Sequence, residues 1–348
     1  MGKKKKIRLR DIAKIAKVSP ATASFVLNNK QHQGISDRTW QKIEKIAKKY
    51  GYNKNIKANN SQKKYIFFME EFASNPNVSQ NFFLGFNNAD FQNHEFLFFF
   101  NKFTNDTENI KKITNIYNPS GIIIANSYTK KINYDLNNIK TNKILLNCWS
   151  DNFNGITILP DDYNGSKTAV RFLLKSGFKR IGIVMSEAIW MQAYTDRLNG
   201  WRDAHIEERI AVDQKLIVKL TYKNLDVESQ ETNLGYNSFN YFIKNKIKID
   251  AIFCTNDLLA LGCYQAIKET NLNIPNDISI IGYDNSQIAT NIKPELTSVE
   301  LPYKEMTQKA INQLINFPNI EENYKIYVEC PLINHNSVKI NKDETRKR

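Results

Sequence analysis

The chain has 348 residues, 41% of them hydrophobic and 24% charged, with a formal net charge of +14. That length accommodates one small module plus a larger domain, and the composition excludes collagen-like, low-complexity and disulfide-rich classes. No apolar run approaches the roughly 20 residues of a membrane span, and "MGKKKKIRLRD" has no apolar stretch behind its basic residues, so neither a membrane helix nor a signal peptide is expected.

The positive charge is concentrated at one end. Residues 1–64 carry 18 Lys and Arg against 3 Asp and Glu, whereas the remainder carries 31 against 32. A basic module on a near-neutral body is the electrostatic footprint of a polyanion binder. Cys148, Cys254, Cys263 and Cys330 lack metal-ligand spacing. They read as reduced structural residues, favouring a cytoplasmic location with no metal or other cofactor.

The first elements are helical. In "LRDIAKIAKVS", Ile12, Ile15 and Ala16 fall at i, i+3, i+4 and predict a helix with these three on its inner face. Val18 sits in a short turn. Ser19 is a good N-cap and Pro20 suits the first helical position, where a missing N–H costs nothing. Ala23, Val26 and Leu27 then form the buried stripe of a second helix, "PATASFVLNN". A third helix begins at Ser36, with Trp40, Ile43, Ile46 and Ala47 inward and Gly51 as its stop. Three short helices with a tight turn between the first two make a helix-turn-helix over residues 1–52.

Residues 53–64, "NKNIKANNSQKK", form a polar basic hinge or linker. From residue 65 to 338, apolar runs such as "YIFFME", "EFLFFF", "GIIIA", "KILLNCW", "RIGIVM", "AIFCT" and "ISIIGYD" alternate with segments of 3.6-residue periodicity. That alternation predicts an α/β body with parallel sheets, and the number of strands suits two lobes with a cleft between them. Ligands in such folds bind beyond the carboxyl ends of strands. Asn256 and Asp257, Asp284, and Asn147 with Trp149 follow or end strands there, and Arg197 lies at a predicted helix start. Polar groups able to bond in pairs, near an aromatic platform, suit a sugar or similar small polar metabolite. Asp257 fits a helix N-cap better than a ligand contact. The aromatic "NFFLGFNNADF" supplies core residues and possible dimer surface. The polar tail, 339–348, lacks the Leu heptads of a tetramer-forming coiled coil, so a homodimer is preferred.

"LRDIAKIAKVSPATASFVLNN" followed by "ISDRTWQKIEKIAKKYGY" resembles the headpiece of the lactose-repressor (LacI) family of bacterial transcription regulators, and "TASFVLN" looks most like its fructose and sucrose repressor branch. "LPDDYNGSKTAVRFLLKSGFKRIGIV", "DRLNGW", "DAIFCTNDLLALG", "IPNDISIIGYDN" and "PELTSVELP" are similar to the family's effector-binding core. The resemblance implies a periplasmic-binding-protein-like effector domain in a homodimer that binds double-stranded operator DNA. It assigns Ser19, Thr22, Ser24 and Asn28 to phosphates and Pro20, Ala21 and Phe25 to base edges. Ala21 and Phe25 would read thymine methyl groups.

In the linker, Asn55 and Ala58 match the family's DNA-bound hinge helix. Ser61 departs from its Leu wedge and Lys54 from its Pro, so a hinge helix and a flexible linker both stand. In the body, the resemblance assigns ligand hydroxyls to Arg197, Asn256 and Asp284. It offers Trp149 as a stacking platform, with Asp162 and Trp190 near the cleft; for both Trp residues core packing is the competing role.

The function expected is a ligand-responsive repressor of a carbohydrate-related operon. A solute receptor without operator-specific regulation is the alternative. An enzyme is not expected: no Gly-rich phosphate loop, metal cluster or nucleophile elbow is present, and His32, His94, His205 and His335 are scattered.

Overall fold

The computed structural model describes residues 9–27, 35–49, 63–70, 76–86, 94–101, 107–186, 192–220, 227–316 and 324–340. The chain divides into two compact units, Met1–Lys63 and Lys64–Arg348.

The first unit contains helices α1 (Leu9–Ala16), α2 (Pro20–Leu27) and α3 (Asp37–Lys49). Its core joins Ile12, Ala16, Val26 and Ile43, with Val18, Leu27, Ile35, Trp40 and Ile46 packed around them. One expectation for α1 is corrected. Ile15 is 42% exposed, and Ala13, at 2%, takes the inner position beside Ile12 and Ala16. A face this narrow accepts an alanine where two other helices approach closely, while the larger side chain turns outward. The turn after α1 is set by Lys17, whose φ is +57°. The Val18 N–H donates to the Ala13 carbonyl at 3.0 Å, the Schellman arrangement that stops a helix through a left-handed residue.

The second unit alternates strands and helices. Its first lobe is built from β1 (Lys63–Glu70), α4 (Pro76–Leu84), β2 (His94–Asn101), α5 (Thr107–Tyr117), β3 (Gly121–Lys131), β4 (Asn142–Trp149) and β5 (Ile156–Pro160). The chain then passes through α6 (Asp162–Lys175) into β6 (Ile181–Ser186), α7 (Gln192–Glu207), β7 (Ile217–Leu220), α8 (Val227–Lys244), β8 (Ala251–Cys254), α9 (Asp257–Lys268), β9 (Ser279–Asp284), α10 (Gln287–Asn291) and β10 (Thr297–Glu300). It returns through α11 (Tyr303–Asn316) to β11 (Tyr324–Val328) and ends in β12 (Leu332–Ile333). The two six-stranded sheets run β11-β5-β4-β3-β1-β2 and β12-β10-β9-β8-β6-β7. The described pairings are parallel except for β10 with β12.

Parallel strands covered by helices on both faces are apolar throughout rather than alternating. β6 and β8 are buried at every residue, which is why their sequences read as continuous runs. Helices α8 and α9 cross at very short range. A Cβ on Gly235 would lie 2.0 Å from the Leu259 carbonyl oxygen, and one on Gly262 would lie 1.9 Å from that of Thr232. Only glycine lets these two backbones meet. The aromatic segment after α4's start serves the first core: Phe82 is 1% exposed, and Phe83 and Phe86 pack against Phe98 of β2 at 5.0 and 4.9 Å.

Candidate functional site

The buried guanidinium of Arg197 ties three elements together. It lies in the second turn of α7, not at the helix start read from the sequence, because α7 begins at Gln192. Its Nε donates to Asp162 Oδ1 at 2.8 Å, and Nη2 meets the same oxygen at 2.7 Å. Nη1 donates to the Thr255 carbonyl at the end of β8 and lies 3.7 Å from Asp284 Oδ1 at the end of β9. The plane of the guanidinium stacks on Tyr283, with Cζ 3.6 Å from the ring centroid. Arginine suits this role because its flat fork bonds in plane and stacks out of plane.

The cluster is acid-rich. Burial opposes the charge on Arg197, but Asp162, Tyr283 and Asp284 outweigh it and hold the guanidinium pKa above its ordinary value. Loss of hydration pushes the Asp284 carboxyl well above the usual carboxylate range, against the pull of Arg197, and Asp257, Asp162 and Glu231 add to the rise. Burial, with the same neighbours, also raises the phenols of Tyr283 and Tyr303, so both rings are neutral donors. The second oxygen of Asp162 is buried without a hydrogen-bond partner, as is the Thr255 hydroxyl. An orphaned buried acceptor is costly unless something supplies a donor.

Asn256, not Asp257, caps α9. Its Oδ1 accepts from the Leu259 N–H at 2.8 Å, and its Nδ2 donates to the Tyr194 hydroxyl at 3.1 Å. That hydroxyl in turn donates to Glu231 Oε1 at 3.0 Å. Asn256 therefore keeps one N–H for a further partner. Asp257 instead accepts from the Ser286 N–H and hydroxyl at 2.7 and 2.9 Å and from the Ser298 hydroxyl at 2.6 Å. These bonds fix the turn after β9, where Asp284 and Asn285 have φ of +105° and +47°. A Cβ on Gly282 would stand 2.3 Å from Asp257 Oδ1, so the approach of this carboxylate requires a glycine. Asp257 thus holds in place the turn that carries Asp284.

Among the sequence-predicted ligand residues, Asp162, Arg197 and Asp284 meet directly and Asn256 joins them through the Thr255 segment. Trp149 ends β4 and has Lys325 Nζ 5.9 Å above its ring. No hydrogen bond or ion pair of the described residues links Trp149 to Arg197. Trp190 lies outside the described residues. Sequence reasoning missed Tyr283, Thr255, Tyr194 and Glu231. Tyr283 adjoins Asp284 in "ISIIGYDN", and a ring inside an apolar strand reads simply as core.

In the first unit, α2 is capped as expected. The Thr22 N–H donates to Ser19 Oγ at 3.0 Å, Ser19 Oγ and Thr22 Oγ1 are 2.8 Å apart, and the Ala23 N–H donates to the Ser19 carbonyl at 3.0 Å. Ser19 and Pro20 are exposed, while Thr22, Ser24 and Phe25 are half-buried. Phe25 is not among the residues of the headpiece core. The side chain of Ala21, and Asn28, Lys54, Asn55, Ala58 and Ser61, lie outside the described residues.

Residues 8–55 match the bacterial regulatory proteins of the lacI family, and residues 170–333 match the periplasmic binding protein-like domain. The chain belongs to the lacI family of transcription regulators. Over 318 residues this lacI-family regulator is 27% identical to the probable HTH-type transcriptional repressor ExuR of Bacillus subtilis (strain 168), covering 89% of this chain and 91% of that one. It is 24% identical to the ribose operon repressor of Haemophilus influenzae, covering 93% and 96%. Its fold is similar to that of a LacI family transcriptional regulator from Enterococcus faecium with bound ribose, at a TM-score of 0.62, 24% identity and 80% and 99% coverage. Among the described residues no helix is long and apolar enough to cross a membrane, and no group of His, Cys, Asp or Glu side chains could hold a metal ion.

Proposed function

We propose that this regulator is a cytoplasmic repressor of carbohydrate-related genes. It binds a near-palindromic operator as a homodimer, and a sugar or related polyol seated on the Arg197 cluster sets its affinity. The observation that carries the effector assignment is the orphaned Asp162 oxygen beside the Arg197 fork. The pair offers an acceptor and donors within one guanidinium width, the pattern that adjacent hydroxyl groups satisfy. Asp284 and the remaining N–H of Asn256 complete the polar lining, and Trp149 and Trp190 serve as apolar platforms. Relatives and neighbours support the ligand class: one is a ribose operon repressor, and one regulator was solved with bound ribose.

On DNA, Ser19, Thr22, Ser24 and Asn28 contact phosphates, Pro20, Ala21 and Phe25 face base edges, and Asn55 and Ala58 contact the duplex from the linker. The ligand acts through its differential affinity for the DNA-competent and DNA-incompetent states, and can shift DNA affinity by no more than that difference. The protein does no chemistry on its ligand. A solute receptor would have no use for the basic three-helix unit with its capped α2.

The test is fluorescence anisotropy of the full chain on DNA from its own upstream region and on random DNA, at one fixed salt concentration. Repression predicts tighter binding to the upstream DNA and a shift when a sugar is added. Equal affinity for both DNAs would sink the reading.

A further inference from the structure

Resting on the effector reading above, we infer that the Arg197 site selects by charge, accepting uncharged polyhydroxy ligands and rejecting phosphorylated sugars and uronates through its ring of carboxyl groups. A buried arginine usually suggests the opposite, since a guanidinium fork is the standard partner of a carboxylate or phosphate. Here that fork is already taken. Two of its nitrogens lie 2.7–2.8 Å from Asp162, and a third faces Asp284 at 3.7 Å.

The charged groups acting on Asp284 are Arg197 together with the carboxyls of Asp257, Asp162 and Glu231. One cation therefore stands against four acidic side chains, all among residues of the second lobe's strand ends and helices. An incoming anion would find no uncompensated positive charge and several carboxyl oxygens. The orphaned oxygen of Asp162 would face it directly. A neutral hydroxyl, by contrast, donates a hydrogen bond to that oxygen.

The helix ends near the site reinforce the filter. Helix N-termini are ready-made anion sites when their N–H groups are open. At α6 the end is closed by Asp161, whose carboxylate accepts from the Asn164 N–H and Nδ2, with Asp162 in the first turn. At α9 it is closed by Asn256, with Asp257 in the first turn. Both ends are thus neutralised by acidic side chains of the chain itself. The cation nearest the aromatic platform, Lys325, lies over Trp149 and not in the ring of carboxyls.

The experiment is a thermal-shift and calorimetric comparison of matched probes on the full-length protein: ribose against ribose 5-phosphate, and glucose against glucose 6-phosphate and glucuronate. Charge selection predicts that at least one neutral sugar raises the melting temperature. Its anionic counterpart should bind at least about tenfold more weakly, the scale of specificity that like-charge juxtaposition supplies. An anionic member binding as tightly as its neutral parent overturns the charge filter but leaves the effector reading standing. A panel in which no member binds overturns the effector reading itself.

Glu231→Gln, which retains an oxygen to accept from Tyr194, and Asp284→Asn each remove one carboxylate. Either should narrow the ratio of neutral to anionic affinity. A ratio that stays at the wild-type value in both variants means that the carboxyls are not its source.

Discussion

Arg197 spends both Nε and Nη2 on a single oxygen of Asp162, at 2.8 and 2.7 Å, and leaves the other oxygen of that carboxylate buried and unpaired. The ion pair therefore fastens α7 to the start of α6 and exposes one strong acceptor to a ligand at the same time. Structure and binding are coupled through one side-chain pair.

Truncating Arg197 should consequently do more than abolish ligand response. With the side chains of Arg197 and Asp162 only 5% and 1% exposed, Arg197→Ala leaves a buried carboxylate uncompensated, a loss on the order of 3–5 kcal/mol. Urea unfolding should show that loss, and the double variant Arg197→Ala, Asp162→Ala should lose less than the sum of the two singles. Additive losses would mean that the two side chains are not coupled.

Asp257 should make stability depend on pH. Burial raises its pKa from 3.8 to about 6 despite the hydrogen bonds from Ser298 and Ser286. Below pH 3.8 both the folded and unfolded chains hold this proton. Between 3.8 and about 6 the folded chain holds it and the unfolded chain releases it, so stability falls as pH rises through that window and then levels off. At 1.36 kcal/mol per pKa unit the fall is on the order of 3 kcal/mol. Asp284 contributes in the same direction. Asp257→Asn should therefore reduce, without abolishing, the decline in the urea midpoint between pH 4 and 7. An unchanged slope would assign the decline to other groups.

Phe25 is the large side chain of α2 left outside the headpiece core. If it packs on a thymine methyl, Phe25→Ala should weaken operator binding by about threefold to tenfold, below the roughly 1–3 kcal/mol of a bidentate base contact. Random-DNA affinity at the same salt should hold. Equal weakening on both DNAs would place Phe25 in the scaffold.

Gly262→Ala should damage the second unit, because its Cβ would fall 1.9 Å from the Thr232 carbonyl oxygen. Forcing α8 and α9 apart should cost about 1–3 kcal/mol. It should also weaken effector binding, since α9 begins next to Asn256 and Asp257. Full stability and affinity in this variant would show that the helix pair has slack.

Much of the framework was legible because its causes are local. Ser19 and Pro20 start α2 through one hydroxyl and one missing N–H, both set within three residues. The long strands announced themselves as apolar runs because both faces of a parallel sheet are covered. The five strands that went unread, β5, β7, β10, β11 and β12, have two to five residues each. They owe their existence to neighbours, as β10 does between β9 and β12.

The site was legible only as a list of polar residues after strand ends. Asp162, Arg197 and Asp284 span 122 positions of sequence, and nothing local says that one guanidinium meets both carboxylates. Nor does spacing reveal that Tyr283 lies under Arg197, or that Asp257 braces the β9 turn while Asn256 caps the helix. Sequence alone determined the elements, the basic unit and the family, because these follow from short-range patterning and charge. Tertiary structure decided which acids surround the arginine, and with them the charge of the ligand, because electrostatics at a buried site depends on distances the linear chain does not contain.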